Sequence, residues 1–232
     1  MLVEGRKPVV FSDFDGTITE RDVIMMIMEA FAPPEWRDIT DRILNRRTLS
    51  IKDGVKQLFR LIPGTRREEI ERFVLQNVRL REGFADFLDF CAERAIPVVV
   101  VSGGVRFFIE PVLAPYRERL QLFCNDSRFT PEAIELTFPH PGDDCPPCGQ
   151  CACCKLGVMD RWPQEEYYHI AIGDSLTDLA MSKRADWTFA RARLIDYTRE
   201  EGVALVHRYD HVLVEDEREL LGGEPPDDVH RA

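Results

Sequence analysis

No apolar run in the chain approaches the roughly 20 residues of a membrane-spanning helix, so no membrane partner is expected. Basic residues are not in excess either. Lys and Arg total 30 against 41 Asp and Glu, a formal net charge of -11. A nucleic-acid partner calls for a basic patch, so that class is set aside. The start, Met1 to Lys7, lacks the apolar core of a secretory signal peptide. The expected compartment is therefore the cytoplasm. No internal repeat is visible, and residues 22 to 80 contain no strand-like alternation.

What is present is a chain of 232 residues, 44% hydrophobic and 31% charged. That is enough for one large α/β domain, or a domain carrying an insertion. An acidic chain that handles phosphate must gather positive charge locally, from a metal, a Lys or backbone N–H groups.

One stretch organises the rest. Val9-Val10-Phe11 reads as a buried strand, being β-branched or aromatic. It runs into Ser12-Asp13-Phe14-Asp15-Gly16-Thr17, where Gly16 permits a sharp turn. Side chains two apart on a strand share a face, so Asp13 and Asp15 leave the sheet edge together. Two close carboxylates repel unless a cation or a shared proton stabilises them. A hard cation such as Mg2+ suits oxygen ligands. One carboxylate could then attack an electrophile while the other moves protons. A plain Asp-rich turn after a strand remains the alternative for this stretch alone.

Further along, a helical run follows Asp22, from Val23 to Phe31, and Pro33-Pro34 stops it. A second helix spans Trp36 to Asn45. Ser50 caps a third, and Thr65 with Glu68 forms a capping box for a fourth, ending near Val78. An amphipathic helix covers Arg81 to Ala95. Ile96 to Val101 is a strand buried on both faces, ending at Ser102-Gly103-Gly104. A helix from Val105 to Leu113 and short strands at Leu120 to Phe123, Arg128 to Thr130 and Ala133 to Thr137 follow. Pro139 to Cys154 holds five Cys and must be a loop. Lys155 opens a helix to Trp162. His169 to Ile172 is a strand ending at Gly173-Asp174-Ser175, with a helix from Leu176 to Arg184 behind it. Strands at Trp187 to Ala190 and His211 to Val214 flank a helix from Leu194 to Glu201.

Three buried strands thus end in polar residues. Parallel strands of an open sheet bring such ends into one crevice. Ser102 could bond a phosphate oxygen, with Gly103 and Gly104 letting backbone N–H groups approach it. Asp174 could complete a Mg2+ site with Asp178 behind it, although an Asp N-cap and a first-turn Asp would look the same. Lys155 could offset carboxylate and phosphate charge. Taken singly, it reads as a surface Lys.

Together Asp13-Phe14-Asp15-Gly16-Thr17, Ser102, Lys155 and Asp174/Asp178 resemble, in order, the four motifs of the haloacid dehalogenase (HAD) superfamily. The resemblance implies a Rossmann-like parallel sheet core with a small all-helical cap of C1 type inserted after the first strand. The core would be residues 1–20 and 82–222, the cap 21–81, the Cys-rich loop 139–154, and the flexible tail 223–232. It also implies a phosphomonoester hydrolase. Asp13 would be the nucleophile that forms a phospho-aspartyl intermediate, and Asp15 the acid/base. Mg2+ would be held by the Asp13 and Asp174 carboxylates and the Asp15 carbonyl, with Asp178 in support. Phe31-Ala32-Pro33-Pro34-Glu35-Trp36, Ser102 to Phe108 and Cys151 to Lys155 resemble the phosphatases of methionine salvage within that superfamily. The phosphoserine-phosphatase-like group is the runner-up. Either implies a small phosphorylated metabolite as substrate, with Glu20 and Asp22 as cap contacts. No oligomeric state is assigned.

Other classes stay open on sequence. A phosphotransferase or mutase would use the same aspartates. Cys145, Cys148, Cys151, Cys153 and Cys154 could wrap a structural Zn2+, or be plain reduced thiols. A metal- or redox-sensing protein built on that loop would leave the aspartates unexplained.

Overall fold

A computed structural model describes residues 5–44, 48–142, 151–203 and 206–208. The chain begins with β1 (Lys7–Ser12), followed by four helices: α1 (Val23–Phe31), α2 (Trp36–Leu44), α3 (Ile51–Arg60) and α4 (Arg67–Asn77). Then come α5 (Phe84–Glu93), β2 (Val98–Val105), α6 (Arg106–Leu113), β3 (Gln121–Phe129) and β4 (Ile134–Thr137). The remainder is α7 (Lys155–Met159), β5 (Tyr167–Gly173), α8 (Leu179–Arg184), β6 (Trp187–Ala190), α9 (Ala192–Glu200) and β7 (Val206–Arg208). The strands form one sheet in the order β4-β3-β2-β1-β5-β6-β7. All neighbours are parallel except the β3–β4 hairpin. This is the α/β architecture expected from the sequence.

Alternation along the central strands divides the core in two. Val10, Val98, Val100, Ile170 and Ile172 face one layer, which includes Phe87 and Leu88 of α5 and Phe108 of α6. Val9, Phe11, Val99, Val101 and Ala171 face the other, with Val158 and Met159 of α7 and Met181 of α8. Because both faces are covered, these strands are nearly continuous apolar runs. Continuing the alternation past Phe11 sends Asp13 toward the α7 side, where Lys155 begins a helix.

The helices between β1 and α5 are held at both ends of their insertion. Thr19 and Leu80 form an antiparallel bridge. The Arg81 N–H donates to the Ile18 carbonyl (2.8 Å), and the Glu20 N–H donates to the Arg79 carbonyl (3.1 Å). Farther out, the Gly64 N–H donates to Thr130 O (3.0 Å) and the Ile134 N–H to Ile62 O (2.9 Å), joining the helices to the β3–β4 hairpin.

Local expectations met mixed outcomes. Asp22 and Ser50 cap α1 and α3 through their side chains. Thr65 does not cap α4. Gly64, bonded to Thr130, starts a 3-10 turn over Gly64–Arg66, so Thr65 lies inside that turn and Arg66 precedes the helix without a side-chain cap. The helix expected from Arg81 starts only at Phe84, after Gly83 in the left-handed region (φ 82). β2 does not stop at Ser102. It continues to Val105 with a register shift against β3 between Val101 and Val105. Two of the short strands expected after Leu120 are one strand, β3. The strand expected at His211 to Val214 and the tail lie outside the described residues.

Candidate active site

The carboxyl ends of β1, β2 and β5 meet as parallel pairing requires. The Asp13 N–H donates to Ile172 O of β5 (2.9 Å). The chain then turns, with the N–H groups of Thr17, Ile18 and Thr19 all directed at Phe14 O. Gly16 sits at φ +78, and a Cβ there would lie 2.5 Å from Asp174 Oδ2. Both the backbone angle and the close approach of Asp174 therefore require glycine.

Lys155 links the motifs. Its Nζ lies 2.6 Å from Asp13 Oδ1 and also contacts Asp178 Oδ1. All three side chains are buried. Burial alone would lower the Lys155 pKa, but the charges of Asp13 and Asp178 outweigh it and hold the ammonium charged. Asp178 Oδ2 accepts from the N–H groups of Asp174 and Ser175 (both 3.0 Å). With both oxygens in use, Asp178 orients Lys155 and the turn after β5.

Asp15 is held from two sides. Its Oδ1 accepts from the Val23 N–H at the start of α1 (3.0 Å), and its Oδ2 from the Ser102 hydroxyl (3.3 Å). Burial, then the charges of Asp22 and Asp13, push its carboxyl well above the usual range. That shift favours the protonated form.

Ser102 also accepts from the Gly104 N–H (2.9 Å), so that N–H is engaged with Ser102 here. A Cβ on Gly104 would lie 2.8 Å from Asp15 Oδ2 and 2.9 Å from Ile109. Glycine at 104 thus makes room for the carboxylate. The Gly103 carbonyl accepts from Asn125 Nδ2 (2.8 Å), and Asn125 is fully buried.

Asp13, Asp174 and Asp178 offer oxygens that all lie within 4.8 Å of one another. Burial and the charges of Asp13 and Asp178 raise Asp174 to about 8. A buried site this rich in carboxylates, with oxygen donors only, fits a hard divalent cation. Thr17 Oγ1 donates to Asp174 Oδ1 (3.3 Å).

Glu20 is exposed, at the entry to the helical insertion. Asp22 accepts from the Met25 N–H (2.9 Å). It is exposed, and desolvation by the surrounding protein raises its carboxyl. Cys145 and Cys148 lie outside the described residues. Cys151, Cys153 and Cys154 are buried. Cys154 Sγ accepts from the Gly157 N–H (3.3 Å) as N-cap of α7. Burial pushes the Cys153 thiol up to about 12. Among the described residues the one His/Cys/Asp/Glu grouping with metal-binding geometry is the acidic one, so the expected Zn2+ finds no support there.

Sequence reasoning missed four residues that shape the site: Thr17, Asn125, Arg191 and above all Arg81. The Arg81 side chain donates to the carbonyls of Gly16 (3.1 Å), Thr17 (3.0 Å) and Thr19 (3.1 Å). Arg191 donates to Gly16 O as well (3.0 Å). Only Thr17 carried a signal, its place beside Gly16.

Known proteins are similar to this chain. A protein from Geobacillus thermodenitrificans named 2-hydroxy-3-keto-5-methylthiopentenyl-1-phosphate phosphatase is 45% identical over 83% of this chain and 86% of its own length. A Bacillus velezensis protein of the same name is 39% identical over 85% and 84%. Among solved structures, a HAD family hydrolase from Salmonella enterica serovar Typhi superposes with a TM-score of 0.69 at 18% identity, covering 93% of this chain and 75% of that one. A phosphoserine phosphatase from T. onnurineus gives 0.62 at 20% identity, covering 91% and 94%. At these identities the superpositions speak for the fold. The family model of the haloacid dehalogenase-like hydrolases matches residues 10–183. With the relatives above, that match places this chain in the haloacid dehalogenase-like hydrolase family.

Proposed function

We propose that this protein is a Mg2+-dependent phosphomonoester hydrolase working through a phospho-aspartyl intermediate on Asp13. We further propose that its substrate is 2-hydroxy-3-keto-5-methylthiopentenyl-1-phosphate, in methionine salvage. The observation that carries the chemistry is geometric: Lys155 Nζ lies 2.6 Å from Asp13 Oδ1, and two residues on Asp15 is held between the Val23 N–H and the Ser102 hydroxyl. Burial raises both carboxyls, but the Lys155 charge opposes it at Asp13, which reaches about 7, whereas the charges of Asp22 and Asp13 add to it at Asp15. The substrate rests on the names of relatives 39–45% identical over most of the chain.

In this reading Lys155 and the Ser102 hydroxyl hold the phosphate, and Asp13 Oδ attacks phosphorus in line with the leaving oxygen. Lys155 opposes the burial that would protonate Asp13. As the P–O bond breaks, Asp15 gives its proton to the departing alcohol. The Asp15 carboxylate then takes a proton from water, which attacks phosphorus and releases Asp13. Asp13 and Asp174, with the Asp15 carbonyl, would hold Mg2+. When bound, the ion supplies positive charge against the phosphate and the carboxylates. Residues 21–81 act as the cap that shuts water out, with Glu20 and Asp22 facing substrate. Cys91, Cys124, Cys151 and Cys153 are free thiols, which suits work in the reducing cytoplasm.

The test is phosphate release from p-nitrophenyl phosphate with and without Mg2+, followed by a screen of phosphorylated metabolites. Metal-dependent release with a clear preference for the methylthiopentenyl phosphate is expected. No release, or equal release after EDTA treatment, would overturn the reading.

A further inference from the structure

The four carbonyls that follow Asp15 all accept from a single residue. Arg81 Nη2 donates to Gly16 O and Thr19 O, Arg81 Nε donates to Thr17 O, and the Arg81 N–H donates to Ile18 O. Arg81 lies 62 to 65 residues away from the three carbonyls its side chain reaches. It is the residue at which the helical insertion returns to the core, next to the Thr19–Leu80 bridge. It is 9% exposed. Arg191, arriving from the β6–α9 side, places a second guanidinium on Gly16 O.

A surface Arg would not be buried to read main-chain oxygens, because taking a guanidinium out of water is costly unless its donors are matched. Here Nε and Nη2 are matched by the turn carrying Asp15. The other end of the insertion holds Asp15 itself, through the Val23 N–H on Oδ1. Entry and exit of the inserted helices therefore converge on Asp15 and the turn that follows it.

We infer that Arg81, backed by Arg191, is a positioning residue for the Asp15 acid, and that it ties the placement of that acid to the seating of the helical insertion. The inference rests on the phosphatase reading above. The planar fork of Arg matches several carbonyls at once, whereas Lys offers a point charge. Arg81→Lys therefore keeps the charge and loses the geometry.

Misplacing a reacting group by about 1 Å can cost roughly 100-fold. The effect should appear where the acid is needed. The experiment compares an alkyl phosphate with p-nitrophenyl phosphate, whose leaving group departs without a proton, in wild type, Arg81→Lys and Arg191→Gln. Expected for Arg81→Lys is a fall in kcat of roughly 10- to 100-fold on the alkyl ester, a much smaller fall on the aryl ester, and little change in KM. Guanidinium ion added to an Arg81→Gly variant should recover the alkyl-ester rate in part. Arg191→Gln should show the same bias more weakly, and serves as the folded check if Arg81 variants are unstable. An equal loss on both esters, or a fall in melting temperature with the ester ratio of the folded fraction unchanged, would overturn the inference. Wild type inactive on both esters would instead defeat the phosphatase reading, and this inference with it.

Discussion

Lys155 Nζ sits 2.6 Å from Asp13 Oδ1, across 142 residues of chain. The same nitrogen contacts Asp178 Oδ1, so one ammonium joins the ends of β1 and β5 through the first residue of α7. The pair is buried, where breaking it leaves uncompensated charge.

Removing that ammonium should therefore cost stability as well as activity. Lys155→Met leaves Asp13 and Asp178 without their cation, and breaking a buried pair typically costs about 3–5 kcal/mol. Urea unfolding at neutral pH should show a loss of that order, together with loss of phosphate release. Unchanged stability would mean that the ion pair does not hold the strands' ends together.

Metal-free protein should be less stable at pH 8 than at pH 5. Asp174 is raised to about 8 and Asp13 is also raised, in both cases first by burial. In the unfolded chain these carboxyls titrate near their model value of 3.8. Between those limits the native state holds more protons than the unfolded state, so this contribution to unfolding free energy falls as pH rises. Added Mg2+ should raise the melting temperature more at pH 8 than at pH 5, because it replaces those protons. Thermal melts at both pH values, with EDTA and with Mg2+, check this. A stabilisation by Mg2+ that is larger at pH 5 would contradict it.

Cys154 is expected to matter as a cap and not as a thiol. Its sulfur accepts the Gly157 N–H (3.3 Å) at the start of the helix carrying Lys155. Serine is a good N-cap, and replacing a cap by alanine costs about 1 kcal/mol. Cys154→Ser should melt at or above the wild-type temperature, Cys154→Ala below it, with turnover of the folded fraction retained in both. Loss of turnover in Cys154→Ser without loss of stability would assign the thiol a chemical part.

Much of the frame was legible because it is written locally. The strands ending at Asp13 and Asp174 are apolar runs that stop at polar residues, and Asp22 and Ser50 precede helical runs as caps. Ser102 was placed beside Asp15 because β2 pairs with β1 in parallel. The Thr65 capping box failed for a non-local reason, the Gly64–Thr130 backbone bond that winds the chain one turn early. The break at Ser102 was misread as a strand end, since a register shift inside β2 has no residue signature beyond its glycines. Arg81 and Asn125 were invisible for a related reason. Each serves a main-chain oxygen far away in sequence, and carbonyls have no letter in a sequence. Lys155 was legible only through its family resemblance, since its partners Asp13 and Asp178 lie on other elements, 142 and 23 residues away.

The covalent step can be observed directly. Asp15→Asn still allows p-nitrophenol to depart from the phosphate ester unaided, but it lacks the base that prepares water for the second step. The phosphorylated enzyme should therefore accumulate. The measurement is the mass of the peptide containing Asp13 after acid quenching of Asp15→Asn during turnover of p-nitrophenyl phosphate. Expected is one added phosphoryl group on Asp13, approaching one per chain, and none in Asp13→Asn. Turnover by Asp15→Asn with no covalent phosphate, or with phosphate on another residue, would contradict Asp13 as the nucleophile.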